Sequence, residues 1–340
     1  MLDSLAQAIR EASDFRPPEM QRTPLEKSDG LSRLFGCSVL LKCEHLQTTG
    51  SFKYRGAANK VRLLCGADRK RGVVTASSGN HGMAVALAGR HAGVPVTVFV
   101  SEKASAAKLA AIEAYGAGLR SVSGSGLDAE FEAKAEAGRS GRLFVSPYND
   151  LDVIAGQGTI GLEVVLAEPR IDAVFLSVGG GGLASGVGAA LAMMPSAELV
   201  GCWPENSPAL LRCLEAGVIR DVPETDTISD GTAGGIEPGS VTLEICARVL
   251  KRRVTVDESL IKTAMWAIAE HDHWMIEGAA GVALAGLASL REEMRGKTVA
   301  VVVCGRNIDA NTFSTALQAA TPSRLASDDR VARSRGHSLV

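Results

Sequence analysis

The sequence has few aromatic residues and almost no net charge. Aromatic residues make up 4% of the 340 residues, and 36 Lys and Arg against 38 Asp and Glu give a formal net charge of −2. A nearly neutral chain has no electrostatic reason to bind nucleic acid or an anionic membrane. Few aromatic side chains also means few platforms on which bases could stack. We therefore expect neither nucleic acid nor a membrane as a partner.

The sequence also lacks paired cysteines and long apolar runs at its start. Its seven cysteines are dispersed, without a C-x-x-C pair or the spacing of a metal site. An odd, dispersed set in a chain of this size is typical of reduced thiols in a cytosol. Residues 1–10 carry charges among short apolar pieces, so they match neither a signal peptide nor a membrane span. These features predict a cytoplasmic protein.

The chain does contain a regular alternation of strand and helix patterns. Apolar residues make up 46% of the sequence and charged residues 22%, as in ordinary globular domains. Strands and helices alternate over residues 72–147 at the pace of parallel βαβ units, and a second alternating block follows. The pattern predicts an α/β fold.

Several elements of this prediction are specific enough to be tested. Residues 153–166 have a helical pattern that we expect to be broken by Gly156 and Gly158. Residues 121–126 are predicted to be a polar connection, and residues 274–276 a strand. Residues 222–238 form a long loop rich in Asp, Thr and Gly, and loops of this length are usually functional.

The first of three short motifs is residues 51–57, which begin a helix with Lys53 in its first turn. A cation at a helix N-terminus meets the positive end of the helix dipole, which favours the neutral, nucleophilic amine. Such an amine can form a Schiff base with an aldehyde. The alternative interpretation is a solvated surface lysine.

The other two motifs each follow a predicted strand and precede a helix. They are residues 77–82, Ser-Ser-Gly-Asn-His-Gly, and the four glycines 179–182. This arrangement presents backbone N–H groups to an anion. The glycines also satisfy a loose dinucleotide fingerprint, with Glu205 about 20 residues further on, but that reading leaves the other two motifs unexplained. For the serines, an ordinary helix N-cap is the alternative.

Together these three motifs resemble the signature of the fold-type II pyridoxal-phosphate enzymes, in the branch of serine/threonine dehydratases and serine racemase. The resemblance runs from Phe15 to Phe313. It implies a tryptophan synthase β-like fold with two open, twisted, mostly parallel sheets flanked by helices, pyridoxal 5'-phosphate as the cofactor, and a homodimer. Residues 230–239 and 304–308 are most similar to the dehydratases of hydroxyectoine utilisation.

The resemblance also divides the chain. It implies a large cofactor-binding domain formed by residues 1–70 and 148–320, and a small substrate-loop domain formed by residues 71–147. The polar, basic residues 321–340 are expected to be a disordered tail.

The same resemblance assigns the site residues. Lys53 holds the cofactor aldehyde and later removes the substrate α-proton, while Ser78 matches the residue on the opposite cofactor face in the racemase. The residues expected to bind the cofactor are Phe52, Lys53, Asn80, Gly179, Gly180, Gly181, Gly182, Glu277 and Cys304. The residues expected to bind the substrate are Ser77, Ser78, Gly79, Asn80 and His81.

Four departures from the family pattern shape the functional expectation. Cys304 stands where a serine commonly faces the ring nitrogen, and Arg306 replaces a glycine. Trp203 occupies the position of an acidic metal ligand in the racemases, so we expect no metal. Near Asp128 the substrate-side arginine of the racemases is missing, which favours dehydration over racemisation.

The sequence thus predicts a pyridoxal-phosphate lyase that removes the β-hydroxyl of a 2-amino-3-hydroxy acid or of a hydroxyectoine-derived amine. Lys53 takes the α-proton, and the cofactor phosphate or Ser78 assists the departure of hydroxide. An amino-acid racemase that uses Lys53 and Ser78 on opposite faces is the alternative with the same cofactor. A nicotinamide oxidoreductase and a non-catalytic, cofactor-binding regulator are alternatives of other classes.

Overall fold

The computed structural model describes residues 1–192 and 197–325, which fold around two sheets. The strands are β1 Leu25–Lys27, β2 Ser38–Lys42, β3 Val73–Ala76, β4 Val96–Ser101, β5 Gly118–Val122, β6 Leu143–Phe144, β7 Ala173–Ser177, β8 Glu198–Pro204, β9 Arg252–Val256 and β10 Thr298–Val302. The helices are α1 Leu2–Asp14, α2 Asp29–Phe35, α3 Lys53–Arg62, α4 Gly66–Arg71, α5 Asn80–Ala92, α6 Ala106–Ala114, α7 Gly126–Ser140, α8 Leu151–Ala167, α9 Gly182–Leu191, α10 Ala209–Ala216, α11 Thr242–Val249, α12 Glu258–Asp272, α13 Gly278–Ser289, α14 Arg291–Met294 and α15 Ala310–Gln318.

The larger sheet has six strands in the order β1-β2-β10-β7-β8-β9. β1 is antiparallel to β2, and the other neighbours are parallel. All five residues of β7 are buried, as is normal where helices cover both faces of a parallel sheet. Helices α8, α9 and α13 contribute much of the apolar packing around it.

The smaller sheet has four parallel strands in the order β5-β4-β3-β6. Its core includes residues of α3 and α5 and is separate from that of the larger sheet. The predicted α/β class with two mostly parallel sheets is therefore confirmed. The domain limits proposed from the sequence stay predictions, and residues 326–340 of the predicted tail lie outside the described part of the chain.

One sequence prediction is wrong in α8, which is continuous from Leu151 to Ala167 rather than broken at its glycines. A Cβ atom at Gly156 would lie 2.5 Å from the carbonyl oxygen of Arg55. One at Gly158 would lie 2.9 Å from the carbonyl oxygen of Gly186. These glycines let α3 and α9 approach α8 closely, and this packing offsets their low helix propensity.

Two strand assignments also differ from the sequence prediction. Residues 118–122 form β5, although the sequence predicts a polar connection from residue 121. The strand is not recognisable from the sequence because it lies at the edge of the sheet and its mostly exposed side chains form no apolar run. Residues 274–276 are not a strand. Their apolar character serves packing instead: Ile276 is fully buried and the Trp274 ring lies 4.5 Å from that of His45. Among the described residues, no helix is both long and apolar enough to cross a membrane.

Candidate active site

The candidate site lies where the carboxyl ends of five parallel strands meet. The segments that follow β2, β3, β6, β7 and β10 supply its residues. Phe52 donates its backbone N–H to the carbonyl oxygen of Cys304, two residues after β10, at 3.0 Å. Ligands of open α/β sheets bind at this carboxyl edge. The topology of the sheets therefore brings together motifs that are far apart in the sequence.

Lys53 is the first residue of α3, and its amine is positioned by a hydrogen bond to the backbone. Its Nζ donates a hydrogen bond to the carbonyl oxygen of Pro147 at 2.9 Å. Burial of the ammonium lowers the pKa of Lys53 to about 8, although the nearby Cys304 and Glu277 act in the opposite direction. A lysine with this pKa supplies a neutral amine far more readily than a solvated one.

The glycine loop is built to accept an anion. Within the described residues, the backbone N–H groups of Gly179, Gly180 and Gly181 have no protein acceptor. Gly181 has φ +88°, a conformation that side chains rarely allow. Helix α9 begins at Gly182, so the positive end of its dipole faces the same loop.

Side chains would block this loop. A Cβ atom at Gly179 would lie 2.9 Å from the carbonyl oxygen of Thr232, and one at Gly180 would lie 2.4 Å from the ring of Tyr148. Tyr148 directly follows Pro147, the residue that binds Lys53. The amine and the free N–H groups therefore share one neighbourhood, which fits a cofactor that carries both an aldehyde and a phosphate.

A hydrogen-bonded cluster completes the site. Asn80 donates from Nδ2 to both carboxylate oxygens of Glu277, each at 3.0 Å. Asn307 donates from Nδ2 to Asn80 Oδ1 at 2.6 Å and from its backbone N–H to Glu277 Oε2 at 3.2 Å. The Cys304 thiol lies 3.9 Å from Glu277 Oε1 and 3.7 Å from Ser177 Oγ. Asn80, Glu277 and Cys304, predicted separately, thus lie together.

Burial sets the protonation of this cluster. It raises the pKa of Glu277 to about 7, against the hydrogen bonds from Asn80 and Asn307. Glu277 is the N-cap residue of α13, a position that by itself favours an anion, but desolvation is the larger effect. Burial also raises the pKa of Cys304, and the adjacent Glu277 adds to the rise. Cys304 is therefore an uncharged thiol at neutral pH.

The raised pKa of Glu277 makes the stability of the cofactor-free protein depend on pH. Because this carboxyl has an ordinary pKa of 4.5 and a folded-state pKa of about 7, its stabilising contribution is complete below pH 4.5 and is lost as pH rises through 7. We expect the free energy of unfolding of the wild type, relative to Glu277→Gln, to fall by about 3 kcal/mol between pH 4.5 and pH 8. Urea unfolding at a series of pH values measures this difference.

Glu205→Gln, at an exposed carboxylate, provides a control, because it leaves the buried Glu277 in place and the loss of about 3 kcal/mol should remain. Parallel pH profiles for the wild type and Glu277→Gln would contradict the assignment of a raised pKa to Glu277.

The residues predicted to bind substrate occupy two environments. Ser77, Ser78 and Gly79 form a half-buried loop before α5, in which Ser77 Oγ accepts the N–H of Gly79 at 3.2 Å. His81 is instead buried, and its Nε2 lies 3.0 Å from the carbonyl oxygen of Val145. Burial lowers the pKa of His81 to about 3, so its ring is neutral. His81 therefore contacts the segment that follows β6, while Ser77 and Ser78 lie in the half-buried loop before α5.

Three residues that shape the site were not identified from the sequence: Pro147, Tyr148 and Asn307. The available signal was position, because Pro147 and Tyr148 follow β6 and Asn307 follows β10 at the carboxyl edges of the sheets. In the described residues, no group of three or more His, Cys, Asp and Glu could hold a metal ion. The expectation that the protein uses no metal stays a prediction.

Comparison with known proteins places this geometry in a family. The model of the family "Pyridoxal-phosphate dependent enzyme" matches residues 17–305. L-threonine ammonia-lyase of Thermotoga maritima is 39% identical over 305 residues, 89% of this chain and 75% of the relative. L-threo-3-hydroxyaspartate ammonia-lyase of a Pseudomonas species is 35% identical over 298 residues, 87% of this chain and 93% of the relative.

The solved structures agree. The structure of maize serine racemase superposes with a TM-score of 0.84 at 31% identity, and the match covers 92% of this chain and 96% of that one. The predicted branch of dehydratases and serine racemase and the predicted cofactor are thereby confirmed, while the closer likeness to hydroxyectoine dehydratases stays a prediction. The chain belongs to the pyridoxal-phosphate-dependent enzymes of fold-type II.

Proposed function

We propose that the protein is a pyridoxal-phosphate-dependent ammonia-lyase that removes the β-hydroxyl of a small 2-amino-3-hydroxy acid. The observation that carries this proposal is the buried Lys53 amine, 2.9 Å from the carbonyl oxygen of Pro147, next to a glycine loop whose described N–H groups have no protein acceptor. The two relatives described above are ammonia-lyases of hydroxylated amino acids, which supports this reaction class.

The residues fit the cofactor at each of its polar groups. Lys53 would hold the aldehyde, and the free N–H groups of the glycine loop would hold the phosphate. Asn80 would contact the phenolic oxygen, and Cys304 would contact the ring nitrogen. Glu277 holds the side chain of Asn80 by hydrogen bonds. The Phe52 ring lies close to the Lys53 amine. When bound, pyridoxal phosphate supplies the electron sink for the α-carbon.

The chain's own groups move the protons. Lys53 Nζ, in its neutral form, accepts the α-proton of the substrate. The Ser78 N–H and the hydroxyls of Ser77 and Ser78 orient the substrate carboxylate, whereas the Ser77 N–H is already bonded to the carbonyl oxygen of Phe99. The Ser78 hydroxyl assists the departure of the β-hydroxyl as water. The released enamine is hydrolysed to a keto acid and ammonia.

Cys304 favours elimination over racemisation. Its raised pKa keeps it a thiol, which is a weak donor and gives a ring nitrogen no ionic partner. Negative charge at the substrate α-carbon would then be poorly stabilised. Rapid loss of the β-hydroxyl removes that charge at once, so elimination suits this site better than racemisation. Racemisation remains the second candidate, because the similarity to maize serine racemase covers most of this chain and Ser78 lies in the loop expected to face the substrate.

A turnover assay separates the two reactions. We expect L-threonine, L-serine or 3-hydroxyaspartate to give a keto acid and ammonia, measured by reduction of the keto acid with a coupled dehydrogenase. Hydroxyectoine-derived amines belong in the same screen. In deuterated water, a racemase would instead return D-amino acid labelled at the α-carbon. Labelled D-product without keto acid would overturn the lyase assignment.

Two further expectations accompany the proposal. We infer a homodimer and a cytoplasmic location from the resemblance to the family and from the cysteine pattern. Light scattering during size-exclusion chromatography tests the first, and fractionation of cells tests the second.

A further inference from the structure

Tyr148 connects the glycine loop to the rest of the site. It lies in residues 146–149, which join the four-stranded sheet to α8. Its ring fills the space that a side chain at Gly180 would need, because a Cβ atom there would lie 2.4 Å from ring carbon Cγ. Pro147, one residue earlier, accepts the hydrogen bond of Lys53 at 2.9 Å. One short segment therefore contacts both the loop and the amine.

The hydroxyl of Tyr148 makes a second connection. Its oxygen accepts a hydrogen bond from the backbone N–H of Glu237 at 2.9 Å. Glu237 belongs to the long loop 222–238, whose Thr232 contacts Gly179. Burial raises the pKa of Tyr148, so the phenol keeps its proton and serves as a neutral acceptor.

The loop is in turn attached to helices of the four-stranded sheet. The Glu237 carboxylate forms an ion pair with Lys134 of α7 and accepts a hydrogen bond from Ser146 Oγ at 3.3 Å. Lys108 of α6 pairs with Asp230 of the same loop at 3.0 Å. A shift of α6 or α7 relative to the six-stranded sheet would therefore act on the loop and, through the Glu237 N–H, on Tyr148.

We propose that Tyr148 is a positioning residue that couples the geometry of the glycine loop to the position of the four-stranded sheet. The ring supports the loop that receives the cofactor phosphate, and the hydroxyl transmits the position of residues 222–238 to that ring. Tyr148 itself transfers no proton. This inference depends on the family's cofactor, and it holds whether the reaction is elimination or racemisation.

The test replaces Tyr148 with Phe, which keeps the ring and removes only the acceptor of the Glu237 N–H. We expect amide hydrogen exchange of Glu237 to become about fivefold faster in the cofactor-free protein, measured by NMR or by mass spectrometry of short peptides. We also expect the Kd for pyridoxal phosphate, from absorbance titration of the cofactor-free protein, to rise about fivefold.

Tyr54→Phe is the matched control. Its phenol also makes a hydrogen bond of 2.9 Å, to His91, away from the glycine loop. It should change neither the Glu237 exchange rate nor the Kd. If Tyr148→Phe leaves the Kd unchanged, the coupling is wrong, whether or not Glu237 exchanges faster.

A third measurement separates this inference from the proposed function. Wild-type protein that binds pyridoxal phosphate but converts no hydroxylated amino acid to a keto acid contradicts the lyase proposal alone. A Tyr148→Phe protein with wild-type Kd contradicts the coupling alone.

Discussion

Replacing Lys53 with Ala is expected to lower kcat/KM for β-elimination by at least about 10³-fold, because the substitution removes the group that accepts the α-proton. The same substitution removes the amine that is bonded to Pro147, next to the tyrosine that contacts the glycine loop, so the visible absorbance of lysine-bound cofactor should also disappear. Steady-state kinetics with L-threonine and absorbance spectra of the purified protein measure the two effects.

Two control variants test whether the effect is specific to Lys53. Lys70 is exposed on α4, and Lys70→Ala should retain both absorbance and turnover. Lys53→Arg keeps a cation and removes the nucleophilic amine, so it should behave as Lys53→Ala does. Unchanged absorbance and turnover in Lys53→Ala would end the assignment of Lys53 as the site amine.

Replacing Arg55 with Met is expected to lower the free energy of unfolding by about 3–5 kcal/mol. Arg55 lies two residues after Lys53 and is 1% exposed. Its Nε is 2.8 Å from Glu44 Oε2 and its Nη1 is 2.8 Å from Glu163 Oε1, and Lys42 also pairs with Glu163. Without the guanidinium, the buried Glu44 loses its short ion pair and keeps the more distant contact with Lys42, at 4.0 Å.

Urea unfolding of the cofactor-free protein measures this loss. Arg62, on the same helix, is the control, because it is only half-buried and its Nε bonds the neutral Asn59 at 2.8 Å. Arg62→Met should cost less than about 1 kcal/mol. An equally small effect for Arg55→Met would show that the cluster around Arg55 does not fix the start of α3.

Much of the candidate site could be predicted from the sequence. Lys53, the serine loop and the four glycines are recognisable because each combines residue types and spacing that one kind of cofactor chemistry requires. The α/β class followed from the alternation of buried strands with helices. These features are local, since a helix start or a glycine turn is encoded within a few consecutive residues.

Other features were decided only by tertiary packing. The glycines of α8 are helix breakers by propensity, yet they remain helical because Arg55 and Gly186 pack against them. The position of Glu277 at the N-terminus of α13 favours an anion, whereas burial raises its pKa to about 7. In both cases a non-local contact or the loss of water outweighs a local preference.

Residue types and their spacing are therefore enough to predict the fold class, the cofactor and the three motifs that bind it. The hydrogen-bonded cluster of Asn80, Glu277 and Asn307, and the contact of Tyr148 with the glycine loop, become visible only in the folded chain. These residues are far apart in the chain and belong to both sheets. Asn80 follows β3 and Tyr148 follows β6 of the smaller sheet, whereas Asn307 follows β10 of the larger one, so the distances between them depend on how the two sheets pack together.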